Sequence, residues 1–259
     1  MSTSSGVLSL QLNSPCFSSR GHMPPPLPLF LAIPRLWPGS SPLTARAVSR
    51  RFILPSASFI WDAITGGNSA LEASTAVRRG MQLFRQGDVV GSLAEFDRAI
   101  ELDPRQKSYL WQRGLSLYYL ERFEEGAEQF RIDVAANPND TEESIWCFLC
   151  EAQIYGVEQA KRRFLEVGRD SRPFMREAYN LFKDGGDPEK LVSMFLHGGE
   201  SEFFYASLYA GLYYESQKDP ESSKRHIIAA CRSLYGESSG DYMASLAKVH
   251  CLCRNWVLA

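Results

Sequence analysis

Residues 73–104 read ASTAVRRGMQLFRQGDVVGSLAEFDRAIELDP, and residues 107–138 read KSYLWQRGLSLYYLERFEEGAEQFRIDVAANP. Gly80, Phe96 and Pro104 of the first stretch return as Gly114, Phe130 and Pro138 of the second, each 34 residues on. Within each unit the apolar residues keep helical spacing. Ala76–Gln86 forms one helical segment and Gly87-Asp88 a turn; Leu93, Phe96, Ala99 and Ile100 form a second segment that stops at Asp103-Pro104. The second unit runs the same way, from Leu110, Gly114 and Leu117 on one face, through a turn at Arg122-Phe123, to Ala127, Phe130 and Val134. The small residue lets two helices of a hairpin approach closely, the phenylalanine fills the gap beside them, and the proline ends the helix.

Outward from this pair the period continues and then slips. A third unit, 141–172, keeps Ala160 and Phe164 in register, but Phe148 stands where the glycine should be, so its hairpin is expected to splay or shift. Residues 173–200 read as a short hairpin. Ala178 and Leu181 share a side, Gly185-Gly186 makes the turn, and Asp187-Pro188 supplies an N-cap and a first-turn proline. A clearer unit returns at 204–237, with Gly211, Asp219-Pro220, Ile227 and Ala230 in place. Residues 238–256 read as a terminal helix with an apolar face of Tyr242, Leu246, Val249 and Cys253, and Trp256 beyond. Stacked repeats leave an apolar face at the end of the stack, and this helix is placed to cover it.

The pattern resembles the tetratricopeptide repeat (TPR) family, including its plant chloroplast-targeted members. Counting from Ala73, that family's small residue at position 8, aromatic at 24, small residue at 27 and proline at 32 fall on Gly80, Phe96, Ala99 and Pro104. One unit later they fall on Gly114, Phe130, Asp133 and Pro138, and Asp133 departs from the small residue. Ala76 and Leu110 also stand where the family carries Trp, and Ser92 and Gly126 where it carries Ala. The resemblance implies an all-α, right-handed α-solenoid of TPR-like helical hairpins with a C-terminal capping helix. It also implies that first helices line a concave groove that holds a segment of another protein. The groove positions here are Val77, Met81, Phe84 and Arg85, then Trp111, Leu115, Tyr118 and Tyr119, then Leu149 and Gln153. Chaperone-binding members clamp a C-terminal carboxylate with Lys and Asn where this chain has Val77 and Met81, so no such clamp is expected. An aromatic, apolar groove with Arg85 as an anchor for an acidic group suits a hydrophobic or amphipathic peptide. For each of these residues, inter-repeat core is an equally open assignment.

Residues 1–61 have another character. They carry Arg20, Arg35, Arg46, Arg50 and Arg51, no lysine and no acid, many serines, and prolines at 24, 25, 26, 28, 34, 38 and 42. That composition is expected of a disordered transit peptide, and the uncharged start Met1–Gly6 suits a chloroplast. Ser49-Arg50-Arg51 leading into Phe52–Trp61 resembles a thylakoid-lumen signal with cleavage near Ala70 or Ala73. Stroma and lumen are therefore both expected compartments, with peripheral thylakoid association open, and residues 62–72 read as a linker. The apolar Leu27–Trp37 stretch is too short and proline-broken to span a membrane. Residues 62–259 hold 23 basic against 30 acidic side chains, a formal charge of −7. Such a body gains little from phosphate counterion release, so nucleic acid is not an expected partner. Organellar RNA-binding helical repeats have a 35-residue period and basic grooves, which this chain lacks.

Little in the sequence suggests chemistry. Cys147 and Cys150 share a helix face, far in sequence from Cys251 and Cys253, whereas zinc ribbons hold such pairs on tight turns. An odd number of cysteines after residue 61 argues against a full disulfide framework. His22, His197, His226 and His250 form no metal-binding spacing, and phosphate-binding loops and nucleophile elbows are missing. The expected function is a non-catalytic protein–protein interaction scaffold or assembly adaptor without cofactor or metal. The alternative is a thiol, redox or metal-dependent role through Cys147 and Cys150.

Overall fold

Aspartates set the helix starts along the chain. Asp88, Asp140, Asp187, Asp219 and Asp241 each accept a backbone N–H of the following first turn, at 2.8–3.2 Å, and each such cap stabilises its helix by about 1 kcal/mol. The computed structural model describes residues 57–257, with side chains from Ser69 onward. The chain order is α1 (Ala57–Arg85), α2 (Val89–Leu102), a 3₁₀ turn (Pro104–Tyr109), α3 (Trp111–Tyr119) and α4 (Phe123–Ala136). There follow α5 (Thr141–Tyr155), α6 (Val157–Arg162), α7 (Pro173–Asp184), α8 (Pro188–Phe195) and α9 (Glu200–Ser216). The last elements are α10 (Pro220–Arg232), α11 (Leu234–Ser238) and α12 (Tyr242–Cys253). No strand occurs among the described residues.

Successive helices pack in pairs: α1 with α2, α3 with α4, α5 with α6, α7 with α8, and α9 with α10. Three of these pairs share one close contact. A Cβ on Gly80 would lie 2.6 Å from the Phe96 ring, one on Gly114 2.6 Å from Phe130, and one on Gly211 2.7 Å from Ile227. Phe96, Phe130 and Ile227 are fully buried, so each stabilises its pair by roughly 2–3 kcal/mol through burial. Helices this close leave no room for a larger side chain at the glycine.

Three features differ from the sequence expectations. Residues 62–72 are not a linker but part of α1, which begins at Ala57. After Pro55 only Gly66-Gly67 opposes a helix there, and Ala, Leu and Glu favour one. Residues 1–56 of the expected leader lie outside the described residues, whereas its residues 57–61 and the expected cleavage positions Ala70 and Ala73 lie within α1. The third unit's second helix is the six-residue α6, so Phe164 falls beyond it, in an irregular strap over residues 163–172. The unit expected to start at 204 begins with a helix at Glu200.

The strap is held by specific contacts. Ser144 Oγ donates to Leu165 O at 2.5 Å, Gly168 N to Pro138 O at 2.9 Å, and Val167 N to the Tyr179 hydroxyl at 3.3 Å. Arg163 Nε donates to Glu151 Oε1 at 3.1 Å, and Arg131 of α4 pairs with the same buried carboxylate. At the strap's far end Arg172 bonds Asp170 and, at 2.8 Å, Glu142 of α5. Glu142 also accepts from the Tyr209 hydroxyl of α9 at 2.7 Å. α12 packs on α10 and α11 and also returns to α1.

Candidate functional site

The residues assigned to a groove fall into two groups. Phe84, Leu115, Tyr118, Tyr119 and Leu149 are buried in the chain's own interior. Val77, Met81 and Trp111 are half-buried, and Arg85 and Gln153 are exposed. The first five are therefore not an open surface, and α12 covers part of them, Phe84 and Tyr119. Tyr242 stacks on Phe84 at a ring separation of 5.2 Å, with Trp111 edge-on to Tyr242 at 5.3 Å. Arg85 lies over the same tyrosine, its guanidinium carbon 5.5 Å from the ring centre, and its Nη2 donates to Gly240 O at 3.3 Å. An amphipathic helix of the chain itself thus lies on the face formed by α1 and α3.

Deeper in, the contact becomes polar. The Tyr119 hydroxyl and His250 Nδ1 share a hydrogen bond at 3.1 Å. The Tyr118 hydroxyl donates to Glu215 Oε2 of α9 at 3.1 Å, and Arg254 Nε donates to Glu215 Oε1 at 2.6 Å. Elements distant in sequence, α3, α9 and the end of α12, meet at this carboxylate. The Arg254–Glu215 pair is only partly withdrawn from water, so its charges keep some of their hydration. Burial lowers His250 to about 4, against the opposing pull of Glu215, so the ring is neutral at neutral pH. Its contribution is complete above the ordinary imidazole value near 6.5 and is lost as the pH falls toward about 4. Burial first, and then Glu215, push the hydroxyls of Tyr118 and Tyr119 well above the usual phenol range.

The thiols named in the sequence are interior groups. Cys147 donates to Ala127 O at 3.7 Å, and burial pushes it up to about 12; Cys150 is pushed up by the same cause. Both are thus held as thiols, which are poor nucleophiles and metal ligands. No group of three or more His, Cys, Asp or Glu is arranged to hold a metal among the described residues. Of the open clefts among the described residues, two bear on these elements. One, about 470 Å³, lies between the strap and α7 and is lined by polar groups that include Arg169, Glu177 and Lys183. The other, about 280 Å³, lies where the end of α1 meets α12 and is lined by Arg85, Gly87, Lys248, Cys251, Leu252 and Trp256.

No known family model matches the sequence. The partners of the groove face within the chain, Glu215, Tyr242, His250 and Arg254, were not singled out together by sequence reasoning. Tyr242 was read as part of an apolar face, of which Tyr242, Leu246 and Val249 are buried and Cys253 is half-buried. The available signal was the placing of His250 and Arg254 on or next to an otherwise apolar helix, where a buried polar group needs a partner.

Proposed function

We propose that this protein is a non-catalytic protein–protein interaction scaffold or assembly adaptor of TPR-like helical hairpins. In this reading the pairs form a right-handed α-solenoid, and α12 is its capping element, turned inward onto the groove. The observation that carries the proposal is the repeated glycine contact of Gly80, Gly114 and Gly211 with the residue 16 positions later. That recurrence supports a stack of equivalent hairpins, an architecture whose use is to present a surface.

The occupied groove narrows where a partner binds. On α12, Tyr242, Met243, Leu246, Val249 and His250 are all buried, and exposing them would cost of order 10 kcal/mol. A partner therefore uses the part of the face that α12 leaves uncovered: Val77, Met81 and the exposed edge of Trp111, with Arg85 at the rim. Its segment is apolar or amphipathic with an acidic group, seated by burial and oriented by charge. The compartment proposed is the chloroplast, stroma or lumen, from the acid-free leader.

The test is affinity capture from fractionated chloroplasts with wild type and with Met81→Glu and Trp111→Ala, each first shown to be folded by circular dichroism. The wild type is expected to retain partners in one fraction that both variants lose. A partner set unchanged in both folded variants would sink the assignment of this face.

A further inference from the structure

Cys231 of α10 and Cys251 of α12 face each other with their sulfurs 4.0 Å apart. Both are free thiols, exposed by only 4% and 1%. The pair is placed by packing: Ile227 and Ala230 bury the inner face of α10, and Val249 and Ala247 bury that of α12. Cys251 has a second neighbourhood. It lines the 280 Å³ cleft between α1 and α12, whose walls carry two cations, Arg85 and Lys248. One residue of a close pair therefore lines an open cleft large enough to hold a small neutral molecule.

We propose that Cys231 and Cys251 are a reversible dithiol site that hydrogen peroxide oxidises to an intramolecular disulfide, fastening α12 to α10. Cys251, as thiolate, attacks one peroxide oxygen, breaks the O–O bond and becomes a sulfenic acid, and hydroxide leaves and takes up a proton. The Cys231 sulfur then attacks the Cys251 sulfur, the S–O bond breaks, and a second water departs with the Cys231 proton. Two thiols lose two electrons in all, and one peroxide becomes two waters. A dithiol reductant reverses the change. Either sulfur can donate in this contact, and Cys251 is written as the attacking sulfur because it lines the cleft. Bonding requires the sulfurs to close from 4.0 Å to about 2.05 Å.

The consequence is mechanical. α12 carries Tyr242 and His250 onto the α1–α3 face, and the bond would tie that helix to its neighbour across 20 residues. Closing such a loop restricts the unfolded chain, so the oxidised protein melts several degrees higher.

The reduced full chain is treated with hydrogen peroxide, residual thiols are alkylated in denaturant, and tryptic peptides are read by mass spectrometry. The expected product joins residues 226–232 to residues 249–254, lighter by two hydrogens. It forms in wild type and in Cys253→Ser, is missing in Cys251→Ser, and disappears with dithiothreitol together with the gain in melting temperature. Cys253→Ser decides the matter alone if Cys251→Ser does not fold, because Cys251 is then the only thiol left in its peptide. The proposal is overturned if both thiols stay alkylatable in Cys253→Ser at peroxide levels that oxidise Cys253 in wild type. It is equally overturned if the link forms no faster in folded protein than in urea.

Discussion

The second and third hairpins carry the same register but opposite solutions at one contact. In α3 and α4, Gly114 lets the Phe130 ring sit against the helix backbone, and α4 runs 14 residues. In α5 and α6 the equivalent pair is Phe148 and Phe164, whose rings stand 5.9 Å apart. Two rings do not fit where one ring and a glycine did. α6 stops after six residues, and Phe164 reaches Phe148 from the strap, with Tyr179 of α7 on its other side at 5.2 Å. Phe148 in turn packs edge-on to Phe182 of α7 at 5.4 Å. One substitution at a packing position thus converts a local helix pair into a bridge toward the next unit.

The comparison breaks most visibly at the two phenylalanines. Phe130→Ala should lower the unfolding free energy by about 4 kcal/mol, because the fully buried ring leaves a cavity between close helices. Phe164→Ala should cost only about 1–2 kcal/mol, since the half-buried ring sits on a strap that can collapse. Urea unfolding of the two variants measures the difference, and equal losses would mean that the third unit is packed as tightly as the second.

Gly114→Ala is the next largest effect. Its methyl group would meet three atoms of the Phe130 ring at 2.6–3.0 Å. Alanine recovers about 1 kcal/mol of helix propensity, but moving a packed ring costs about 2–3 kcal/mol. A net loss of about 1–2 kcal/mol is expected, most of it restored in Gly114→Ala/Phe130→Leu. A stabilised single variant would show that the helices are not in close contact.

The smallest effect concerns charge. Asp133 fills a small-residue position in α4, and burial raises its carboxyl to about 7, against the hydrogen bond from Gln129. A raised folded value gives stability that is complete below the unfolded value near 4 and lost as the pH climbs through about 7. Asp133→Asn should remove that loss and gain on the order of 1–2 kcal/mol over wild type at pH 8 relative to pH 5. The check is the denaturation midpoint of each protein at the two values, and parallel pH profiles would contradict the buried carboxyl.

The hairpins were legible because their decisive contacts span 16 residues and repeat. Gly80 with Phe96 and Gly114 with Phe130 can be paired from spacing alone, and Asp88, Asp187 and Asp219 announce the helix starts by the turns they follow. The length of α6 was not legible. It depends on Phe148 meeting Phe182 and on Glu151 drawing in Arg131, contacts between units, as well as on Glu151 meeting Arg163 within its own. The status of the groove was less legible still. Periodicity says that Phe84, Tyr118 and Tyr119 face inward; it does not say what covers them.

Local spacing, caps and turn residues were enough to indicate the all-helical character of the described residues and the close pairs of the first two units, because helices and their close pairs are set by neighbours a few turns away. The fate of the aromatic face was set elsewhere. Arg85 meets Gly240 across 155 positions, and Tyr119 meets His250 across 131. Burial is non-directional, so any apolar face of the right shape could have covered that surface. The pairing of Cys231 with Cys251 has the same origin, a product of how α10 and α12 pack rather than of any motif.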